Sequence, residues 1–278
     1  MLMADNYQPI GVFDSGYGGL TILKEIMVRL PQYDYVYLGD NARTPYGSRS
    51  FEVVYEYTLQ AVKKLFSMGC QLIILACNTA SAKALRTIQQ NDLPLIDPTR
   101  RVLGVIRPSV EKIPTFTRTG HIGVLGTTGT VISESYPMEI AKIAGDRIIV
   151  TQEACPMWVP LVENNEINNP GTDYFVEKSI TSLFRKDNDI DTIILGCTHY
   201  PLLLNVIKAF VPDHIVLLEQ GPIVAESLAD YLLRHPEMEV KCSKGGTRRF
   251  LTTESIDNFE SQAGIFMGSA LTAEKILL

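Results

Sequence analysis

Two short segments of this chain repeat one pattern, and each carries a cysteine next to its end. Residues 72–79 read LIILACNT, and residues 192–199 read TIILGCTH. In both, an apolar run reaches a small residue and then a cysteine, Cys77 or Cys197. The cysteines lie 120 residues apart, which is about the length of one domain. The repeat predicts a site with one thiol on each side, suited to moving a proton from one face of a carbon to the other.

Short apolar runs alternate with helical patterns along the chain. This alternation predicts α/β units around mostly parallel sheets, with helices covering both sheet faces. The predicted strands are 9–13, 34–38, 71–76, 93–96, 120–125, 147–151, 191–196, 214–218 and 248–251. The predicted helices are 20–30, 51–68, 80–90, 131–144, 173–184, 202–210, 222–234 and 255–267.

The duplication extends beyond the cysteines. The run IGVF at residues 10–13 matches IGVL at residues 122–125, an offset of 112. We therefore predict two pseudo-symmetric three-layer α/β domains with the active site in the cleft between them. The first would be discontinuous, comprising residues 1–100 and 212–278, because the C-terminal part is too short for a separate α/β domain. Residues 101–211 would form the second.

Composition excludes several classes of function. The net charge of −6 and the pI near 5.3 argue against a nucleic-acid-binding protein and against an anionic-membrane binder. No apolar stretch is long enough to cross a bilayer, and residues 1–9 lack the features of a signal peptide. Five cysteines among 278 residues favour reduced thiols and a cytoplasmic location over a disulfide scaffold.

Polar residues follow several of the predicted strands, at the sheet edge where α/β proteins bind ligands. The segment DSGYGGL begins at Asp14, and its glycines would let the backbone approach a ligand or would simply form a capped turn. A phosphate loop is the rival interpretation, but Thr21 stands where the third glycine of the dinucleotide fingerprint belongs. The loop at residues 39–48 is longer than a connection needs, and its Arg43 would face a substrate carboxylate or solvent.

Each cysteine of the repeat precedes a predicted helix, for which Thr79 and Thr198 are candidate caps. A thiol near a helix start tends to have a lowered pKa. His199 lies two residues from Cys197, and Asp14 ends a strand in the same predicted domain as Cys77. Each cysteine therefore has its own candidate polar assistant.

Other interpretations of these residues stay open. Cys77, Cys197 and His199 would supply three zinc ligands, although no C-x-x-C pair is present. A Cys77–Cys197 disulfide is a further alternative, and the remaining cysteines are expected to be buried small hydrophobes. Glu153 ends a strand of the second half and would face the cleft or lie in an exposed loop.

Four segments together resemble the glutamate racemase family. They are DSGYGGL from Asp14, LGDNARTPYG from residue 38, ACNTAS around Cys77 and GCTHYP around Cys197. They occur in the family's order and extend to residue 201. Residues 250–253 and 259–268 also resemble the family's C-terminal part.

The resemblance implies interconversion of L- and D-glutamate without a cofactor or metal, for bacterial peptidoglycan, by a cytoplasmic homodimer. It implies that Cys77 and Cys197 are the acid/base residues on opposite faces of the α-carbon, with Asp14, His199 and Glu153 assisting. The positions that match its substrate contacts are Asp14, Ser15, Tyr46, Gly47, Asn78, Thr79, Thr198 and His199.

Three other functions compete with this one. The first is a nucleotide-binding oxidoreductase, against which the failed glycine fingerprint at Thr21 argues. Aspartate racemases share the two-cysteine plan, but they resemble this segment with an acidic residue where this chain has His199. A zinc-binding or redox-sensing protein without catalytic activity is the alternative from another class.

Overall fold

The structure of the protein is a computed structural model that describes residues 7–278. The first six residues lie outside the described part, and most of the segment predicted to lack a signal peptide falls there. None of the helices within residues 7–278 has the length and apolar character needed to span a membrane.

The described strands form two parallel sheets, as the alternating pattern predicts. The strands are β1 (Ile10–Asp14), β2 (Tyr35–Gly39), β3 (Leu72–Leu75), β4 (Arg101–Gly104), β5 (His121–Gly126), β6 (Ile149–Ala154), β7 (Thr192–Gly196), β8 (Val216–Leu218), β9 (Arg248–Thr252) and β10 (Ala273–Lys275). The first sheet has the order β10-β9-β2-β1-β3-β4, and the second has the order β6-β5-β7-β8. The α/β class is thereby confirmed.

The two sheets share one topology. The order β2-β1-β3-β4 in the first corresponds strand by strand to β6-β5-β7-β8 in the second. The register corresponds too, because Gly11 lies opposite Ile73 and Gly123 lies opposite Ile193. These pairs are related by the same offsets, 112 and 120 residues, that separate the repeated sequence runs. The sequence repeat is therefore a structural repeat.

Helices cover the faces of both sheets, and the central strands β1, β3 and β7 are buried along their whole length. The helices are α1 (Gly19–Arg29), α2 (Phe51–Ser67), α3 (Asn78–Lys83), α4 (Leu85–Thr87), α5 (Leu93–Ile96), α6 (Ile106–Lys112), α7 (Thr128–Ile132), α8 (Ser135–Ala144), α9 (Trp158–Glu163), α10 (Pro170–Lys186), α11 (Leu204–Phe210), α12 (Gln220–Arg234), α13 (Pro236–Glu239) and α14 (Ile256–Met267). Burial on both faces explains why these strands are continuous apolar runs.

The predicted strand at residues 93–96 is wrong. These residues form α5, with Pro94 in its first turn and Leu95 87% exposed. A short apolar run does not by itself distinguish a strand from a helix. The fourth strand of the sheet is instead β4, which begins at Arg101. The predicted helix at 80–90 is also interrupted, since α3 and α4 are followed by a π-helical turn at Ile88–Asp92.

Sheet membership changes close to the predicted domain boundaries. The strand at 101–104 pairs with β3 in the first sheet, and the strand at 216–218 pairs with β7 in the second. The chain therefore leaves the first sheet after Gly104 and leaves the second after Leu218. The predicted boundaries at residues 100 and 211 each fall a few residues earlier, before a short last strand that belongs with the preceding sheet. The division into two domains stays a prediction.

The repeat places a glycine where a helix approaches the central strand of the second sheet. A Cβ on Gly123 would lie 2.7 Å from Leu183 Cδ2 and 3.2 Å from Ile193 Cγ1. We expect Gly123→Ala to lower the free energy of unfolding by about 1–3 kcal/mol, because it overpacks the core. Urea denaturation followed by circular dichroism measures the change.

Gly264→Ala is the matched control, because Gly264 lies inside α14 and the nearest atom to its added Cβ is 3.9 Å away. Alanine there should leave stability unchanged or raise it by up to about 1 kcal/mol. Equal urea midpoints for both variants would contradict the packing argument.

Candidate active site

A cavity of about 90 Å³ lies where the carboxyl ends of the two sheets meet. Residues just past the ends of four central strands line it: Ser15 directly after β1, Cys77 two residues after β3, Thr127 directly after β5 and Cys197 directly after β7. The cavity is therefore built by repeat-related positions of both halves. The complete lining is Ser15, Thr44, Pro45, Tyr46, Gly47, Ser48, Cys77, Asn78, Thr79, Thr127, Thr128, Cys155, Pro156, Val159, Pro160, Cys197, Thr198 and His199.

Cys77 is a buried thiol held by two hydrogen bonds. Its Sγ accepts from the backbone N–H of Ala80 at 3.4 Å and lies 3.4 Å from Ser15 Oγ. Burial and the negative charge of Asp14 raise the pKa of Cys77 to about 12, and the hydrogen bonds from Ser15 and Ala80 oppose this rise only partly. The expectation that a helix start would lower this pKa is wrong, because burial outweighs it. Cys77 is a protonated thiol at neutral pH.

Cys197 begins a chain of three polar side chains. Its Sγ lies 3.9 Å from Nδ1 of His199, and Nε2 of the same ring lies 2.9 Å from Oε1 of Glu163. Burial by itself lowers the pKa of His199, but the hydrogen bonds and charges of Cys197 and Glu163 outweigh burial and raise it to about 10. His199 is therefore an imidazolium at neutral pH, with one N–H directed at the sulfur and the other at the carboxylate.

Neither predicted threonine cap is found. Cys77 itself caps α3, and Cys197 is followed by a 3₁₀ turn at Tyr200–Leu203 whose N-cap residue, His199, makes no side-chain cap. Thr198 instead directs its hydroxyl toward Asp14 Oδ2, at 3.5 Å. The two cysteines therefore have different local environments although their strands are related by the repeat.

Asp14 lies behind the cavity, between the two cysteine segments. Its side chain is buried, and Oδ1 accepts a hydrogen bond from the N–H of Gly16 at 2.9 Å. Burial raises the pKa of Asp14, and the positive charge of His199 lowers it in part. Asp14 influences Cys77 through its charge, since the hydrogen bonds to this thiol within the described chain come from Ser15 and Ala80.

The glycine-rich turn after β1 is explained by contact with the second half. A Cβ on Gly18 would lie 2.2 Å from Thr198 Oγ1 and 2.5 Å from His199 Nδ1. Gly16 also donates its N–H to Asp14 within the turn. The turn therefore lets the second cysteine segment pack closely, and this accounts for the glycines without a phosphate.

Asp40 fixes the loop that forms one wall of the cavity. Its buried carboxylate accepts hydrogen bonds from Tyr46 at 2.5 Å, from Arg43 at 2.7 Å and from Thr253 at 2.9 Å. Arg43, which sequence suggested for a substrate carboxylate, is thus committed to Asp40. Tyr46 lines the cavity, and its hydroxyl donates to Asp40. The adjacent Gly47 also lines the cavity.

Threonine hydroxyls from both halves meet on another wall of the cavity. Thr79 Oγ1 lies 2.9 Å from Thr127 Oγ1, and Thr127 caps α7 by accepting from the N–H of Thr130. The backbone N–H of Gly129 donates to Gly47 O at 2.7 Å. These contacts join the cavity walls at Thr79 and Gly47 to the second half of the chain.

Glu153 is not part of the cavity. Its carboxylate pairs with Lys186 at 2.7 Å and accepts from Ser182 at 3.0 Å, both on α10. Glu163 instead brings the acidic group to the site, through His199. Sequence reasoning missed this role because Glu163 ends α9, a helix whose orientation no local pattern reveals. Thr127 and Thr128 were missed as well, although Thr127 follows β5 as Ser15 follows β1.

The zinc alternative is not supported by the positions of the ligand atoms. Within residues 7–278, only His121, Asp187 and Asp189 bring three potential ligand atoms within 4.8 Å of one another. Cys77, Cys197 and His199 do not form such a group. All five cysteines are free thiols, so the Cys77–Cys197 disulfide is absent from this structure.

Comparison with known proteins agrees with this geometry. A profile of the Asp/Glu/Hydantoin racemase family matches residues 22–226. The chain belongs to this family. It is 40% identical over 270 residues to the glutamate racemase of Persephonella marina, covering 97% of each chain. The family resemblance seen in the sequence is confirmed, and the chain is an enzyme of the amino-acid racemase class.

Solved structures of racemases share the whole fold. A glutamate racemase isoform from Bacillus anthracis matches with a TM-score of 0.89 and 33% identity, over 98% of each chain. The glutamate racemase of Francisella tularensis, solved in complex with D-glutamate, matches with a TM-score of 0.86 and 30% identity. That match covers 99% of this chain and 98% of the other.

In this racemase, replacing one carboxylate should change the titration of His199. Glu163→Gln removes the negative partner and leaves the burial, so the pKa of His199 should fall from about 10 by about 1 to 3. Nuclear magnetic resonance of the imidazole as a function of pH measures it, with four histidines in the chain to assign. Glu153→Gln is the control, because Glu153 pairs with Lys186. An unchanged His199 pKa in Glu163→Gln would contradict the ion pair.

Proposed function

We propose that this protein interconverts L- and D-glutamate without a cofactor, by proton transfer between two cysteines and the α-carbon. The observation that carries the proposal is the pairing of Cys77 and Cys197 in one cavity, each after a central strand of a repeated sheet. The relatives named as glutamate racemases, one of them solved with D-glutamate, support glutamate as the substrate.

The reaction requires one thiolate and one thiol. The thiolate removes the α-hydrogen as a proton, and the electron pair stays on the α-carbon beside its carboxylate. The opposite thiol then gives its proton to the other face, so the two sulfurs exchange protonation states. An unactivated α-proton is weakly acidic, so the base must be close and the acid already protonated.

The environments of the two sulfurs support a division of roles in the resting enzyme. Cys77 has a pKa raised to about 12 and is the protonated acid. Cys197 faces the imidazolium of His199, which places a positive charge beside this sulfur. Glu163 holds the ring in place, and Asp14 contributes negative charge behind the cavity. In this proposal the Cys197 side acts first as base.

Donors on the cavity walls suit the two carboxylates of glutamate. Ser15, Asn78, Thr79 and Thr198 line the cavity, as the resemblance implies for substrate contacts. Thr127 and Thr128 add donors from the second half. Hydrogen bonds from N–H and hydroxyl groups to a carboxylate are stronger in a largely buried site, because little water competes for the carboxylate there.

The proposal extends to the setting of the enzyme. It would act in the cytoplasm as a homodimer and supply D-glutamate for peptidoglycan. Glutamate is its small-molecule partner, and the net charge of −6 argues against a nucleic-acid partner.

Incubation with L-glutamate in D₂O tests the activity directly. We expect D-glutamate to form with deuterium at the α-carbon, without pyridoxal phosphate, as measured by proton resonance and chiral chromatography. L-Aspartate is the comparison substrate, and it should exchange far more slowly. The absence of both D-glutamate and α-deuterium would reject the function, and exchange of aspartate alone would reject the substrate.

Single replacement of either cavity cysteine tests the two-base scheme. Cys77→Ser and Cys197→Ser should each lower kcat by about 100-fold or more, because a serine hydroxyl is a poor acid/base at neutral pH. Cys242→Ser is the control, since Cys242 is buried outside the cavity and donates to Met238 O at 3.4 Å, a bond that serine keeps. Substantial activity in either cavity variant, with normal folding, would refute the scheme.

A further inference from the structure

Three buried side chains form a closed ring of hydrogen bonds next to the cavity. The hydroxyl of Tyr136 donates to Asn78 Oδ1 at 2.8 Å, and Asn78 Nδ2 donates to Gln220 Oε1 at 2.6 Å. Gln220 Nε2 then donates back to the Tyr136 hydroxyl at 3.0 Å. All three residues are at most 3% exposed. Each donor has an acceptor and the direction is the same around the ring, an arrangement in which hydrogen bonds strengthen one another.

The ring touches both cysteine segments. Asn78 directly follows Cys77 in the chain. Tyr136 lies against Gly196, the residue before Cys197, because a Cβ there would meet the Tyr136 ring at 3.3 Å and its hydroxyl at 3.4 Å. The Tyr136 hydroxyl therefore donates to the side chain that follows Cys77 and lies close to the residue that precedes Cys197.

The ring also connects the two chain segments that pass between the sheets, one after β4 and the other after β8. Gln220 begins α12, two residues after the last strand of the second sheet. Its Nε2 also lies 2.8 Å from Ser109 Oγ and 3.2 Å from Val105 O, which follow the last strand before the chain enters the second half. Any movement of one half relative to the other at this point would have to break these bonds.

We propose that Tyr136 and Gln220 are positioning residues, which act through Asn78 and Gly196 to hold the two cysteines at a fixed separation. Proton removal and return on opposite faces of one carbon demand this separation, because an error of about 1 Å in a reacting group costs up to about 100-fold in rate. The inference rests on the proposed two-cysteine reaction. Neither Tyr136 nor Gln220 lines the cavity, so neither contacts the substrate directly.

Tyr136→Phe is the primary test, because it removes one hydroxyl and opens the ring while preserving the aromatic packing. We expect kcat to fall about 10- to 100-fold and KM to change much less. Tyr35→Phe is the matched control. Tyr35 is equally buried and donates to Leu30 O at 2.7 Å, away from the cavity. Equal kcat values for the two variants would overturn the proposal.

The combination with Gln220→Leu tests whether the residues act as one unit. Residues that work through a shared network have non-additive effects. The double variant, Tyr136→Phe with Gln220→Leu, should therefore be about as slow as the slower single variant. If the reductions in kcat of the two single variants multiply in the double variant, the residues act independently. That result would overturn the proposal that the ring acts as one unit.

A chemical readout separates this inference from the proposed function. Cys77 and Cys197 are 5% and 6% exposed. Opening the ring should speed their alkylation by iodoacetamide, measured by mass spectrometry, in Tyr136→Phe but not in Tyr35→Phe. Fully buried Cys70 serves as the internal control. If the protein does not racemise glutamate but Tyr136→Phe still speeds alkylation of both cavity thiols, the proposed function is rejected and the positioning role of the ring is supported. Unchanged alkylation rates of Cys77 and Cys197 in Tyr136→Phe would reject the positioning role of the ring.

Discussion

Parallel pairing in two equivalent registers is the constraint on which this structure depends. Because β1 pairs with β3 and β5 pairs with β7 in the same way, the carboxyl ends of all four strands have matching directions within their sheets. The residues that follow these strands then meet at one cavity. The repeat places one cysteine after a central strand of each sheet, and both cysteines line the same cavity.

The symmetry of the strands does not extend to the charges. Cys77 caps a helix and is surrounded by Ser15 and the negative charge of Asp14, while Cys197 faces an imidazolium held by Glu163. Both thiols are largely buried, and charges act more strongly in a buried site than in open solvent. Two sulfurs with similar sequence contexts therefore lie in different electrostatic surroundings.

Sequence patterns located several of the site residues at strand ends, and they missed the acidic residue that a helix brings to the site. A buried parallel strand is an apolar run, and the residue after it must lie at the sheet edge, so Asp14, Cys77 and Cys197 could be located in advance. The acidic partner of His199 could not. Glu153 lies near the carboxyl end of β6, yet its carboxylate pairs with Lys186. The carboxylate that reaches the site comes from Glu163, at the end of a short helix.

The sequence by itself determined the α/β class, the duplication and the two cysteines, because these depend on local periodicity and on repeated residue types. Only the tertiary structure decided which acid pairs with His199, that Cys77 itself caps its helix, and that Asn78, Tyr136 and Gln220 close a ring. The contact of His199 with Glu163 and the contacts of the ring join residues 36 to 142 positions apart. Their partners are chosen by how helices pack across two sheets, and no local pattern in the chain encodes that choice.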